Sequence, residues 1–153
     1  MKTVRPFRAE DLDQVRALYE RASLAITHGP WEEDLIAINE VYVAPGGCFL
    51  VVEEGRRIIA MGALKMHKDR GAEIKRMRVD PPSQRQGAGQ MVLDALLQHA
   101  NHAHVRRMFL DTDARWVGAQ RFYKKNGFVE YRRKLWHGIT LILYERMLTD
   151  RLH

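Results

Sequence analysis

A single cysteine, Cys48, occurs in the 153 residues of the chain, so no disulfide can form within it. Because disulfides are typical of secreted proteins, their absence favours the cytoplasm. No apolar run approaches the roughly 18 to 20 residues that a membrane-spanning helix requires. Residues 1–6 also lack the apolar core of a secretory signal peptide. We therefore expect a cytoplasmic protein without a membrane partner, in which Cys48 is a small buried residue at the start of a strand.

A low-complexity linker, an internal repeat and a long block of like charges are also lacking. With 46% hydrophobic and 29% charged residues, the chain is expected to fold as one domain over residues 1–153. Its net charge of +6 is compatible with nucleic acid, an acidic membrane surface or a multiply charged small ligand. The densest basic cluster, Arg132-Arg133-Lys134, is shorter than the patches that usually bind nucleic acid. The charge distribution therefore weighs against a nucleic-acid partner.

Hydrophobic periodicity predicts strands and helices along the whole chain. Consecutive strands in the first half favour antiparallel pairing, whereas the strand–helix–strand unit over residues 73–111 favours a parallel pair. The expected fold class is therefore α/β, with a mixed sheet and helices on its faces. The predicted strands cover residues 2–8, 49–53, 57–66, 73–80, 105–111, 128–136 and 139–147, and the predicted helices cover residues 10–23, 32–39, 87–103 and 116–125.

A glycine-rich segment follows the fourth predicted strand and leads into a helix: Gln84-Arg85-Gln86-Gly87-Ala88-Gly89-Gln90. Its glycines have no side chain to keep an anion away, and the amides and dipole of a first helical turn attract one. The segment can therefore hold a pyrophosphate. It is neither a P-loop, which needs Gly-Lys followed by Ser or Thr, nor a dinucleotide fingerprint, because Val92 stands where a glycine is required. A solvated turn with glycines at a sharp bend is the alternative interpretation.

The predicted strand before this segment is unusually polar for the middle of a sheet. It carries Glu73, Lys75, Arg76 and Arg78. It is either exposed or lines a wet cleft, and a strand that ends beside an anion-binding loop is where a ligand crevice is expected. For Glu73, an ordinary ion pair is the alternative.

A third segment, residues 119–128, is predicted to be an amphipathic helix that Asn126-Gly127 ends. Phe122 and Phe128 are expected in the core. Tyr123 differs from them because it carries a proton at the end of an apolar ring.

These segments resemble the GNAT superfamily of acetyl-CoA-dependent N-acetyltransferases. Residues 84–89 match its acyl-CoA loop, (Gln or Arg)-x-x-Gly-x-(Gly or Ala). Residues 77–81 are similar to its fourth strand, and residues 122–128 to its tyrosine–glycine–phenylalanine motif. Val4-Arg5-Pro6, followed by a helix from about Glu10, is similar to its usual opening, so the resemblance spans nearly the whole chain.

The resemblance implies one acyl-CoA N-acyltransferase domain with a mostly antiparallel, mixed seven-stranded sheet and about four helices. The sheet would splay between strands 4 and 5, with acetyl-CoA in the splay, a β-bulge before the loop and the pyrophosphate on the amides of residues 85–90. Two departures from the family pattern are Trp116, where an asparagine often contacts the cofactor, and Arg85, where glycine is common. The implied cofactor-binding residues are Met77, Arg78, Val79, Gln84, Arg85, Gln86, Gly87, Ala88, Gly89, Gln90 and Tyr123.

The reaction that the resemblance implies is direct attack of a primary amine on the thioester. An alkyl ammonium with a pKa of about 10.4 must first lose a proton. Glu73 is the expected general base, with a water between it and the amine as one option, and Asp111 is the alternative. Tyr123 matches the family's usual acid and would protonate the leaving thiolate. Backbone N–H groups near Met77 would polarise the thioester oxygen.

The acceptor stays open between small-molecule amines and peptide amino groups. By family analogy residues 23–47 form one wall of its pocket. In that segment His28, Trp31 and the acids at positions 32–34 could attract a cationic amine. Alternatively, the acids are no more than the first turn of a helix. Arg76 and Arg78 could bind a carboxylate on an amino-acid-like acceptor, or form a solvated face.

No metal is expected, because His99, His102 and His104 have no acidic or cysteine partner nearby in sequence. Two other functions stay open. One is a non-catalytic acyl-CoA-binding or regulatory module of the same fold, and the other is a basic nucleic-acid-binding protein. A homodimer could form along the hairpin at residues 136–148.

Overall fold

The structure is a computed structural model that describes residues 1–23 and 30–148, apart from the side chains of residues 30–32. The acceptor contacts expected of His28, Trp31 and Glu32 thus lie outside what is described. The strands are β1 (Lys2–Pro6), β2 (Cys48–Glu54), β3 (Arg57–Met66), β4 (Gly71–Val79), β5 (Arg107–Asp113), β6 (Val129–Trp136) and β7 (Ile139–Met147). The α-helices of the described part are α1 (Leu12–Arg21), α2 (Ala88–His102) and α3 (Val117–Lys125).

All seven strands belong to one sheet in the order β1-β2-β3-β4-β5-β7-β6. Neighbours are antiparallel except β4 and β5, which are parallel, so the predicted mixed sheet is confirmed. The β4–β5 register runs only from Gly71, opposite Arg107, to Glu73, opposite Phe109. Both strands continue beyond that point without pairing to each other. The sheet therefore opens between its fourth and fifth strands.

The two faces of the sheet carry separate hydrophobic cores, because successive side chains of a strand point to opposite faces. Val92 and Leu96 of α2 pack on one face with Ile74 of β4. Leu18 of α1 packs on the other face with Val51 of β2. The two helices thus lie on opposite sides of β4, the strand that borders the opening.

Residues 32–39 differ from the predicted α-helix. The chain forms a 3-10 helix at Pro30–Leu35 and then a π-helical turn at Asn39–Val43. Tyr42 is fully buried and donates a hydrogen bond to Asp34, so tertiary contacts at both ends determine the local winding. The helix predicted over residues 10–23 begins with a separate 3-10 turn at Ala9–Asp11.

Cys48 is buried at the start of β2, as predicted. Burial raises the pKa of its thiol to about 12, so it holds its proton at neutral pH. Among the described residues, no helix has both the length and the apolar character needed to span a membrane. The cytoplasmic location and the homodimer stay predictions.

Candidate active site

A cleft of about 290 Å³ lies where β4 and β5 diverge. Glu73 and Arg78 line it from β4, Asp111 lines it from β5, and Tyr123 lines it from α3. The structure therefore brings together both predicted catalytic residues and the alternative base.

A β-bulge distorts β4 beside this cleft. Lys75 and Arg78, three residues apart, pair with Ala63 and Met61, which are only two apart. Arg76 lies within the bulge and has a positive φ of 60°. Because a bulge bends the strand and redirects its side chains, it accounts for the outward turn of the β4 edge here. The bulge that the resemblance implied is present.

The strand opposite the bulge has to carry a glycine. A Cβ at Gly62 would lie 2.4 Å from the sulfur of Met77 and 2.6 Å from Val92. Real side chains do not tolerate such distances, so Gly62 lets the bulged strand and α2 approach each other.

The glycine-rich segment forms the entry to α2. Gly87 is the N-cap residue with a φ of 87°, and Arg85 has a φ of 64°. The Gln84 amide donates to the Pro81 carbonyl, and the next amide with a backbone acceptor is that of Met91, which donates to the Gly87 carbonyl. Among the described residues, the amides from Arg85 to Gln90 have no acceptor. This arrangement fits a pyrophosphate, because a run of donors converges at the positive end of a 15-residue helix.

Asp80 fixes the start of this segment. Its carboxylate is 1% exposed and accepts hydrogen bonds from Arg21 at 3.1 Å and from Arg57 at 2.6 Å. Its backbone amide donates to Ile59. Burial alone would raise the pKa of Asp80, but the two guanidinium groups outweigh it and lower the pKa. The loop therefore leaves the sheet from a point held by both α1 and β3.

Some predicted cofactor residues use their side chains for the fold. The Gln84 amide donates to the Val79 carbonyl at 3.2 Å, and the Gln90 amide donates to Asn126 at 2.9 Å. A Cβ at Gly89 would lie 3.3 Å from Val79, so the first turn of α2 packs closely on β4. At Gln90 the backbone amide is what remains available to a ligand, whereas the Gln84 amide donates to the Pro81 carbonyl.

Glu73 occupies the last paired position before β4 and β5 separate. Its carboxylate lies 2.9 Å from Nε2 of His67, which in turn packs edge-on against Phe109. The side chain of Glu73 is 18% exposed and that of His67 is 38% exposed. Glu73 is thus held in one orientation, and His67 connects it to solvent.

Asp111 lies two residues beyond Phe109 on β5 and is exposed to solvent within the cleft. Desolvation by the cleft walls raises its pKa, and the negative charge of Glu73 raises it further. Lys134 and Lys75 offset part of this effect. Two carboxylates that repel each other in this way favour a cation between them.

Tyr123 is 6% exposed and packs edge-on against Phe122 and Phe128. Burial raises the pKa of its hydroxyl, and the positive charge of Arg78 opposes this only in part. The hydroxyl makes no hydrogen bond to the described part of the chain. Tyr123 therefore carries a proton at neutral pH and is able to donate it into the cleft.

The two arginines of β4 have different surroundings. Arg76 makes a two-pronged ion pair with Asp34 at 2.8 and 2.5 Å and donates to the Tyr19 hydroxyl at 2.6 Å. Burial of the Asp34 carboxyl opposes its ionisation, but Arg76 lowers its pKa nonetheless. The predicted alternatives in which Arg76 binds a carboxylate and Asp34 attracts an amine are wrong, because each neutralises the other.

Arg78 instead lies close to two aromatic rings. Its guanidinium carbon is 4.3 Å from the ring centre of Trp116 and 4.7 Å from that of Tyr19. It donates to Ser23 Oγ at 2.9 Å and to the Met77 carbonyl at 2.7 Å. Trp116, the departure from the family pattern, thus closes one side of the cleft.

Within the described residues, no group of three or more His, Cys, Asp or Glu side chains is placed to hold a metal ion. His99 instead lies 2.9 Å from the Gly46 carbonyl.

The family model described as the acetyltransferase (GNAT) family matches residues 12–128. The chain belongs to this family. A curated relative, the N-acetyltransferase YedL of Escherichia coli, is 33% identical over 88 residues, or 56% of this chain and 55% of that protein. The chain thus spans about half the length of the curated relative it matches.

Solved GNAT structures share the fold over nearly the full length. An acetyltransferase from Staphylococcus aureus Mu50 has a TM-score of 0.85 at 19% identity, over 97% of this chain and 100% of that chain. The ribosomal-protein-S18-alanine N-acetyltransferase of Escherichia coli has a TM-score of 0.81 at 20% identity, over 100% and 99%. YncA of Salmonella typhimurium, solved with its cofactor acetyl-CoA, has a TM-score of 0.81 at 18% identity, over 99% and 96%. At these identities the likeness shows the fold alone.

Three contributors to the site were missed by sequence reasoning: His67, Asp80 and Tyr19. Asp34 was considered only as a charge that attracts an amine, because no local pattern indicates its ion pair with Arg76, 42 residues away. Asp80 was visible as the residue before Pro81, but its arginine partners were not.

Proposed function

We propose that the protein is an N-acetyltransferase that moves the acetyl group of acetyl-CoA directly to a primary amine of a small molecule or peptide. The observation that carries the proposal is the run of amides from Arg85 to Gln90 beside the opening of the sheet. A diphosphate matches this donor set in charge and geometry. The net charge of +6 suits a multiply anionic co-substrate.

Acetyl-CoA would supply the acetyl group as an activated thioester. The protein's own part is to bind and orient it: residues 85–90 hold the diphosphate, and the unpaired edge of β4 from Met77 to Val79 aligns the pantetheine arm. In this proposal the backbone amides at the bulge polarise the thioester oxygen.

Glu73 takes the proton of the incoming ammonium, directly or through one water. Its carboxylate is fixed by His67 and lies at the closed end of the cleft, where the exposed ring of His67 offers the proton a route to solvent. Asp111 adds negative charge that attracts the ammonium. Asp111 is also the alternative base, since its carboxylate lines the same cleft.

Tyr123 donates a proton to the leaving sulfur. A thiolate with a pKa of about 8.5 needs this proton only weakly, so the contribution of Tyr123 is moderate. Its burial and its lack of a partner among the described residues keep the proton available.

A thiol-release assay with acetyl-CoA and a panel of amines, amino acids, polyamines, aminoglycosides and peptides tests the proposal. We expect thiol release that depends on both substrates, together with a product that is heavier by one acetyl group. Tight binding of acetyl-CoA without turnover on any acceptor would instead support a non-catalytic acyl-CoA-binding module. Because one structural neighbour is named as acting on an alanine of ribosomal protein S18, peptides with free N-termini belong in the panel.

A further inference from the structure

Arg78 carries a positive charge that the described part of the protein leaves without an acidic partner. Its guanidinium donates to a hydroxyl and a carbonyl, both neutral, and the ring centres of Tyr19 and Trp116 lie 4.7 and 4.3 Å from its central carbon. The side chain is partly buried, and this desolvation lowers its pKa. A cation held in this way is oriented and ready to bind an anion.

The other arginine of the same cleft, Arg76, has its charge neutralised by a carboxylate. Arg76 has both prongs of its guanidinium on Asp34. Arg78, two residues further along β4, has no carboxylate among its described contacts. An anion that binds in the cleft is therefore expected to pair with Arg78.

The direction of the side chain indicates which ligand supplies that anion. Ile74, Met77 and Val79 face the core beneath α2, the helix that carries the diphosphate loop. Arg78 instead reaches Tyr19 and Ser23, on the side of α1. The guanidinium thus lies in the cleft and reaches Ser23, the first residue of the segment expected to form one wall of the acceptor pocket.

We propose that Arg78 binds a carboxylate of the acceptor, so that the substrate is an amine that also carries an acidic group. The inference rests on the proposed function and makes it narrower. The two aromatic rings pack near the guanidinium, and its Nε and Nη1 atoms donate to Ser23 and Met77. Nη2 takes no part in these two hydrogen bonds, so it is able to donate a charge-assisted hydrogen bond to a carboxylate. The cleft would then have an acidic region for the ammonium, at Glu73 and Asp111, and a basic one for the carboxylate.

The competing role for Arg78 is electrostatic stabilisation of the leaving thiolate, because its charge also acts on Tyr123. The two roles differ in their dependence on the acceptor. Carboxylate binding favours acidic acceptors over their amides, whereas thiolate stabilisation accelerates both equally.

The test compares matched acceptor pairs: amino acids with one, three and five carbons between amine and carboxylate, and the corresponding carboxamides. For the wild-type protein we expect kcat/KM to be about 10- to 100-fold higher for at least one carboxylate than for its amide. Arg78→Gln should abolish this preference with the KM for acetyl-CoA unchanged, and Arg78→Lys should retain part of it. Arg133→Gln removes an exposed charge that is paired with Glu130 and should keep the full preference.

Equal loss of kcat for acid and amide in Arg78→Gln would overturn the inference in favour of the thiolate role. A wild-type protein that uses amides as well as acids would overturn it while leaving the acetyltransferase intact. Failure to acetylate any amine would contradict the proposed function, and the inference about Arg78 with it.

Calorimetry supplies a readout that does not need turnover. The CoA-bound wild-type protein should bind the preferred carboxylate about 10-fold or more tightly than its amide. The CoA-bound Arg78→Gln protein should bind both with similar affinity. Equal binding of acid and amide by the wild type contradicts the inference.

Discussion

The guanidinium of Arg57 on β3 lies 2.6 Å from the buried carboxylate of Asp80, the residue that follows β4 on the way to the diphosphate loop. Arg21 of α1 reaches the same carboxylate at 3.1 Å. Contacts with α1 and β3 at the end of β4 therefore fix the point at which the chain enters the loop.

Asp80→Asn should lower both stability and affinity for CoA. The pKa of Asp80 is lowered in the folded protein, so its contribution is present above the unfolded pKa of about 3.9 and is lost as pH falls through the folded value. Since the arginine side chains are 45% and 61% exposed, we expect a loss of about 1 kcal/mol at pH 7. Urea unfolding of wild type and variant at pH 3 to 7 measures it. The stability difference between wild type and Asp80→Asn should narrow at the acid end. Glu130→Gln, which removes one partner of a surface ion pair, should leave stability at pH 7 nearly unchanged.

Gly87→Glu should weaken CoA binding roughly 10- to 100-fold, because it adds a carboxylate beside the expected phosphates. The space around Gly87 is open, but its φ of 87° disfavours other side chains. Gly87→Asn is the matched control, since asparagine tolerates this conformation without adding charge. Calorimetry with CoA distinguishes the two variants. Equal affinity of the Glu variant and the wild type would show that the diphosphate lies elsewhere.

Tyr123→Phe should reduce kcat by roughly 10-fold and leave the affinity for acetyl-CoA nearly unchanged, because it removes a proton donor and keeps the packed ring. Tyr131→Phe deletes a hydroxyl from an exposed tyrosine and should behave as wild type. Steady-state kinetics measures kcat, and titration with acetyl-CoA measures its affinity for the protein. Unchanged kcat in Tyr123→Phe would remove this residue from the mechanism.

Glu73→Gln should lower kcat/KM for the acceptor by roughly 100-fold, since the ammonium loses its base. His67→Ala should give a smaller loss, because the carboxylate remains but is no longer held. Glu54→Gln, at an exposed pair with Lys2, is the control. A large loss in Asp111→Asn combined with a small one in Glu73→Gln would assign the base to Asp111 instead.

Asp111→Asn should make the protein more stable at pH 7. The pKa of Asp111 is raised in the folded state, so its ionisation lowers the free energy of unfolding. This loss of stability grows as the pH rises from the unfolded pKa of about 3.9 to the folded pKa, and it stays constant at higher pH. The amide removes this cost. Thermal unfolding at pH 7 should show a higher Tm for the variant, and the gain should disappear at pH 3. A lower Tm at pH 7 would indicate that Asp111 is stabilised by the cleft.

The segments that carry local chemistry were predictable from sequence. Gly87 and Gly89 revealed the helix entry because glycine spacing reports directly on backbone geometry. Glu73 and Tyr123 were placed in one cleft through the family resemblance. The ion pair of Arg76 with Asp34, 42 residues apart, could not be predicted, because it depends on a 3-10 turn that docks above the sheet. The stacking of Arg78 on Trp116 is a long-range contact of the same kind.

The unpaired edge of β4 beyond Glu73 also has a consequence for handling the protein. Exposed strand edges invite pairing with another chain and are common starting points of aggregation. A pantetheine arm along this edge would occupy its amides and carbonyls as an added strand does. Purification in the presence of coenzyme A is therefore expected to lengthen the time for which concentrated solutions stay clear, and light scattering on stored samples would measure the gain.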